Sequence, residues 1–457
     1  VTKYFSKPHF FYLAILSFGI NLGFTFELNY LSSIFKFFDA ETYQLSYLWL
    51  VPPTMGLIVQ PLIGQISDGT STRWGKRRPY IIVCGILAVL SFFLLSSVTT
   101  LFAAAVLILI LNIGINGCVA TLLALTTDMS TEEERSKAFA LQAFMAGIGS
   151  ALAVGLPYLM NKLFLFFPRP PLLGQRKIPA NFELSFITIC ILMTLAIFIS
   201  IRKVKEPVSS YKTATKMEES YHKKIASYFR RSRRIFIDIA LNLKKTSTTF
   251  KRICCIHSLA CFGVYIFFIY FTTVLTQNFY SSPTSEFGDS VQSAQLFQQA
   301  TLDASKYLSI GQYVTVLYSL FLFFLLEYIS KAKLIHGISL LSGGIGMAMI
   351  GFAHTHFTVL IAMIGVGIMN GSLATLSFTI VSRILPKGKS GVYFGIFNIS
   401  VTVTQIFGGL LLSPVYRYFF GGHTSYMLLL SAALIIVSAS LWLREAYRSP
   451  EFSVKIN

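Results

Sequence analysis

Two groups of residues in this sequence have the types and spacing to do chemistry. The first is Gly64-x-x-x-Asp68, followed by Gly75-Lys76-Arg77-Arg78-Pro79. The carboxylate of Asp68 can pair with Arg77 and Arg78, or the two arginines can bind helix termini. A charged cluster of that kind can latch one of two conformations. Gly64 permits close approach of a neighbouring helix, and Asp128, the acid that ends a later apolar run, belongs to the same gating set. The second group centres on Glu27, a carboxyl well inside an apolar run. Taking a charge into hydrocarbon costs about 2.5–3.5 kcal/mol on the most lenient scale. A carboxyl there either reaches back to water at the outer end or takes up and releases a proton as its access changes. The stretch from Tyr30 to Phe38 stays largely apolar, which favours proton coupling. His257 has two readings, a proton shuttle or a satisfied structural histidine near a helix end.

Signatures of other chemistries are missing from the sequence. It has no His-Glu-x-x-His, no phosphate-binding loop and no Gly-x-Ser-x-Gly, so no enzyme is expected. The six cysteines show no metal-type spacing and fall in apolar segments, where they read as small buried side chains. No metal and no cofactor is expected.

Elements that could position these groups follow from composition. Of 457 residues, 54% are hydrophobic and 12% charged, with mean hydropathy +0.65. Soluble domains carry roughly 25% charged residues, so too little polar surface is available to face water. The net charge of +19 would suit a nucleic-acid partner, but the basic residues gather in gaps between apolar runs. That is the membrane pattern, and no nucleic acid is expected as a partner. A spanning helix needs ~20 apolar residues. Twelve such runs lie near 9–32, 45–67, 78–98, 101–127, 137–160 and 182–201, then 252–276, 306–329, 334–353, 357–382, 391–413 and 425–443. The first shows no small-x-small cleavage site and reads as a span.

Residues 1–201 form one six-helix half, 202–251 a basic linker and 252–457 the other half. Lys and Arg concentrate in the linker and in alternate gaps, which puts both termini on the cytoplasmic side. Inside the linker, Ile225, Phe229, Ile235, Phe236, Ile239 and Leu243 recur at near-helical spacing among basic residues. That is an amphipathic helix suited to anionic lipid headgroups. The fold class is therefore all-α integral membrane, with the twelve-helix, two-half arrangement of the major facilitators. Such folds bind substrate near the midplane and work by alternating access. Polar residues within spans that could line a cavity are Asn21, Asn29, Asn112, Asn116, Gln142, His257, Asn370, Asn398 and Gln405, and of these Asn21, Gln142, Asn370, Asn398 and Gln405 are the favoured substrate contacts. Each taken singly is more often an interhelical hydrogen bond.

The stretch from Leu48 to Ile82, LWLVPPTMGLIVQPLIGQISDGTSTRWGKRRPYI, resembles the glycoside–cation symporter branch of the major facilitators. That branch includes plant and bacterial sucrose and maltose transporters and the mammalian proton-associated sugar transporters. The extra residues between Asp68 and Gly75 are typical of it. Phe139 to Ala151, Lys177 to Pro207 and Gly391 to Ile406 also resemble its fifth, sixth and eleventh helices, so the likeness covers essentially the whole chain. It implies a secondary transporter that imports a sugar or glycoside with a proton or other cation. The small-molecule substrate and membrane lipid are then its partners, and a monomer in the cell's inner (plasma) membrane is expected. Mammalian members carry a Glu at the place of Glu27. Three positions depart from the branch: Gly69 and Leu123 stand where it has Arg, and Ser377-Phe378 where it has Pro-Tyr. The helix-four Arg is implied in substrate and proton handling. Leu123 therefore keeps open a carrier of the same fold for an amino acid, nucleoside or drug. A non-transporting receptor or scaffold has no reason to bury Glu27.

Overall fold

The computed structural model describes residues 8–68, 70, 72–130, 132–163, 177–204, 206, 246–280, 291–325, 331–384 and 390–448. The first helices are α1 (Pro8–Phe37), a short α2 (Thr42–Leu48), α3 (Val51–Asp68), α4 (Arg78–Leu95), α5 (Leu101–Met129), α6 (Glu132–Leu163) and α7 (Ala180–Lys203). Then come α8 (Thr248–Phe279), α9 (Val291–Leu325), α10 (Ala332–Gly351), α11 (His356–Ile384), α12 (Ser390–Pro414), a π turn (Val415–Phe419) and α13 (Thr424–Arg448). Every expected span has its helix, with α2 and α3 together making the second. Among the described residues, eleven helical spans are long and apolar enough to cross a membrane. The amphipathic helix expected at 225–243 lies outside the described residues.

Helices break where the sequence removes a donor or supplies a cap. Pro52 and Pro53 lack an N–H, so the chain leaves α2 at Leu48 and restarts at Val51. Both prolines then occupy the first turn of α3, where no donor is required. Glu41 and Gln44 close a capping box on α2. The Thr100 hydroxyl accepts the Ala103 N–H at 3.3 Å and starts α5. Helix α9 departs from the hydropathy reading, beginning at Val291 and not near 306. Its first turns carry Gln292, Gln295, Gln298, Gln299 and Asp303, which form helix without an apolar signature. Cys255 also departs from expectation, since its side chain is exposed while Cys84, Cys118, Cys190 and Cys254 are buried.

The chain gathers into two compact units. One holds α1 as far as Leu28 together with α3 to α7; the other holds α1 from Asn29, α2, and α8 to α13. In the first unit α4 and α5 touch almost backbone to backbone. A Cβ added at Gly114 would lie 2.6 Å from the Cys84 carbonyl oxygen, so only glycine permits that approach. Edge-on rings fill the interior nearby, with Phe26 at 5.6 Å from Phe186 and 6.2 Å from Phe92 between centroids. In the second unit the last turns of α1 are fastened by hydrogen bonds. Tyr30 donates to Ser305 at 2.7 Å, Ser32 to the Ile269 carbonyl at 2.7 Å, and the Trp49 indole to Ser32 at 2.8 Å. Those bonds account for the grouping of Asn29–Leu50 with the second unit, whereas hydropathy alone divides the chain after residue 201.

Candidate functional site

The link from α3 to α4 is built around one guanidinium. Thr72 and Gly75 pair in an isolated bridge, and the Thr72 hydroxyl donates to the Gly75 carbonyl at 2.7 Å. Gly75 has φ +104°, a left-handed conformation that side chains resist. This turn delivers Arg77 to the N-cap of α4, with its side chain 7% exposed. Nε reaches Asp128 Oδ2 at 3.0 Å, Nη1 reaches Ser67 Oγ at 2.5 Å and the Gly64 carbonyl at 3.4 Å, and Nη2 pairs with Asp68 Oδ1. Burial disfavours the charged guanidinium, but Asp68 and Asp128 outweigh it and hold Arg77 more firmly protonated than usual.

The expected gating residues Gly64, Asp68, Arg77 and Asp128 are thus brought together. Arg78 turns away and binds the Ile201 and Trp74 carbonyls. Gly64 contributes its carbonyl. A Cβ added there meets nothing within 4 Å among the described residues, so the close helix approach expected at Gly64 is not made in this conformation.

One member of the cluster was not identified from sequence. The Glu206 carboxylate, just past α7, accepts the backbone N–H groups of Lys76 (2.5 Å), Arg77 (3.0 Å) and Arg78 (2.8 Å). It satisfies the orphan donors at the start of α4 and complements that helix's positive end. Its only sequence signal is an acid at the exit of α7, between Lys205 and Pro207.

The second constellation lies in the interior of the first unit. Glu27 is 1% exposed, and its Oε1 accepts from Asn112 Nδ2 on α5. Glu27 Oε2 and Asn112 Oδ1 have no partner among the described residues. One turn along α5, Asn116 donates to the Asn112 carbonyl at 2.9 Å and accepts from Gln60 of α3 at 2.8 Å. A chain of amides therefore runs from α3 through α5 to the carboxyl on α1. Leu123 is 45% exposed and gives this unit an apolar surface where the resembled branch has a cation.

Other candidates are more scattered. Gln142 is buried and donates to Thr126 at 2.5 Å, while Asn21 bonds back to Ser17 of its own helix at 2.9 Å. In the second unit Asn370 and Gln405 are half-buried and Asn398 is exposed. His257 is buried, stacks on Phe397 at 4.4 Å, has Nε2 at 3.3 Å from Cys261 Sγ and leaves Nδ1 unpartnered among the described residues. A second buried histidine escaped the sequence reading: His336 on α10, whose Nδ1 lies 2.7 Å from Ser372 Oγ.

Comparison with known proteins places this geometry in context. The family model described as Major Facilitator Superfamily matches residues 1–154 and 57–298. A general alpha-glucoside permease of Schizosaccharomyces pombe is 25% identical over 279 residues, 57% of this chain and 47% of the permease. The human proton-associated sugar transporter A is 35% identical over 78 residues, 17% of this chain and 10% of that protein. The matched stretches therefore span less than half the length of these relatives. Among solved structures, the nucleoside transporter NupG superposes with a TM-score of 0.64 at 16% identity, covering 96% of this chain and 99% of that one. At that identity the likeness establishes the fold.

Proposed function

The chain belongs to the major facilitator superfamily, and on that premise we propose that it is a secondary transporter importing a sugar or glycoside by proton-coupled alternating access. The observation that carries this reading is Glu27: a carboxyl 1% exposed, held by one amide and with one oxygen open. A charge at that depth opposes every reorientation of the carrier, and a proton on the open oxygen removes the opposition. Uptake of solute and proton together then becomes the low-energy route across. The printed names of two relatives, an alpha-glucoside permease and a proton-associated sugar transporter, favour a sugar as the solute.

Sugar hydroxyls call for amide donors and acceptors. In the first unit Gln60 and Asn116 form such a pair. In the second, the side-chain amides of Asn370, Asn398 and Gln405 make no hydrogen bond among the described residues. The Arg77 cluster acts as the gate, holding one conformation until the solute and proton are loaded. His257 is the alternative proton site. On this reading the protein sits in the plasma membrane, and the basic residues of its loops favour both termini on the cytoplasmic side.

The test is uptake into proteoliposomes, screened across sugars, amino acids and nucleosides, with and without an inward proton gradient. Accumulation of a sugar that rises with the gradient is expected. Gradient-driven accumulation of an amino acid or nucleoside, with sugars inert, would move the assignment to another solute on the same fold.

A further inference from the structure

An open groove of about 500 Å³ runs between α4 and α7 in the first unit. Ile82, Ile86 and Leu90 line one side, Ile197 and Phe198 the other. Ile86, Leu90 and Phe198 are each about half exposed. An exposed apolar surface on spanning helices faces hydrocarbon, so an acyl chain is a natural occupant.

One end of the groove is not apolar. Where α4 begins and α7 finishes, the groove is bounded by Trp74 and Arg202. The Arg202 guanidinium lies over the Phe198 ring at 5.2 Å, which sets the cation at the groove mouth. It is exposed, and among the described residues no carboxylate pairs with it. Trp74 is half exposed, and an indole at such a place belongs at headgroup depth. Arg78 binds the carbonyls of both Trp74 and Ile201, so the rim is braced from within. Arg73 and Lys203 are exposed at the same end.

We propose that this groove is a binding site for an anionic phospholipid, with one acyl chain along α4 and α7 and the headgroup phosphate against Arg202. Charge complementarity selects the occupant. A guanidinium takes a phosphate through two parallel hydrogen bonds, and the surrounding Arg73 and Lys203 favour a headgroup of net negative charge. The site is separate from Glu27 and from the Arg77 guanidinium.

Tryptophan placement makes the site directly readable. The chain has three tryptophans; Trp49 and Trp442 are 1% and 0% exposed, and Trp74 is 51% exposed. Quenching by brominated acyl chains therefore reports on Trp74. The full chain would be placed in phosphatidylcholine vesicles containing a minor share of brominated phosphatidylglycerol, or the same share of brominated phosphatidylcholine. Brominated phosphatidylglycerol should reach half-quenching at an about fivefold lower share, the equivalent of about 1 kcal/mol for one basic side chain near the surface. Arg202→Gln should remove that preference, and Val89→Phe, which fills the groove from α4, should remove it too. Equal quenching by the two lipids overturns the proposal, as does a preference that survives Arg202→Gln. A preference lost in Arg202→Gln but kept in Val89→Phe also overturns it, because surface charge alone would then hold the lipid. If a protein helix covers the groove instead, neither lipid quenches Trp74.

Discussion

Arg77 and Glu27 are buried to nearly the same degree in the same unit, at 5% and 1% exposure, and the fold treats them in opposite ways. The Arg77 side chain has two carboxylates, a hydroxyl and a carbonyl, and its backbone N–H rests on a third carboxylate. Glu27 has one amide and an open oxygen. A buried charge is tolerable when paired and costly when not. The first arrangement is therefore complete as it stands, a brace that must be broken for the chain to rearrange. The second is incomplete, and under the proposed function a proton finishes it. The proposed gate and the proposed coupling can therefore be tested separately, because one would depend on ion pairs and the other on an unfilled lone pair.

The largest effect should come from Glu27→Gln. Glutamine keeps the size and can still accept from Asn112, but it cannot release a proton. Accumulation driven by a pH gradient should fall to background, while counterflow of preloaded solute continues. Undiminished accumulation on the same reconstituted variant would transfer the coupling role to another group, with His257 next.

A smaller but still large effect is expected for Arg77→Ala. Removing one partner of a buried ion pair costs about 3–5 kcal/mol, but Asp68 and Asp128 are 66% and 46% exposed, and solvent recovers part of that. A loss of about 2–3 kcal/mol from this conformation shifts its population by roughly 30- to 150-fold. Transport should slow while the surviving carriers still respond to a pH gradient. Arg77→Lys should recover little, because a point charge cannot reach two carboxylates and a hydroxyl at once. Accessibility labelling of a cysteine placed in the 72–77 loop reads the shift; unchanged labelling and unchanged rates would reduce the cluster to a topology signal.

Glu206→Gln tests the part of the brace that sequence did not reveal. The neutral amide can accept one or two of the three N–H groups but loses their charge assistance. About 1–2 kcal/mol should be lost, with a lower unfolding midpoint by scanning fluorimetry and a transport rate reduced a few-fold. A midpoint equal to that of the unsubstituted chain would mean that water caps α4 equally well.

The contrast between these residues also separates what was legible in the sequence from what was not. Spans were legible because hydrocarbon demands a fixed length of apolar helix; the break between α2 and α3 was not, since 45–67 reads as one apolar run and hydropathy does not register the missing donors of Pro52 and Pro53. The Gly64 to Pro79 cluster was legible because its charges lie within a few residues of each other. Glu206 was not, since it acts on backbone N–H groups well over a hundred positions away and those leave no side-chain pattern. Glu27 could be singled out by burial cost, but its partner Asn112 was one amide among many. The start of α9 was hidden because glutamines make helix without hydropathy.

The smallest expected effect on stability, and the finest test of the gate, is Gly64→Ala. In the structure a Cβ at this position meets nothing within 4 Å among the described residues. Glycine inside a helix costs roughly 1 kcal/mol relative to alanine, so the substitution should raise stability by up to about that much, and the Gly64 carbonyl that accepts from Arg77 is unaffected. If glycine is kept for a close helix approach, that approach belongs to another conformation of the transport cycle. Alanine would then raise the unfolding midpoint slightly and slow turnover at the same time. Those two signs cannot both come from damage to the state described here, because damage lowers both. A raised midpoint with unchanged turnover would instead leave Gly64 no role beyond its carbonyl, and the gate would rest on Asp68, Arg77, Asp128 and Glu206 alone.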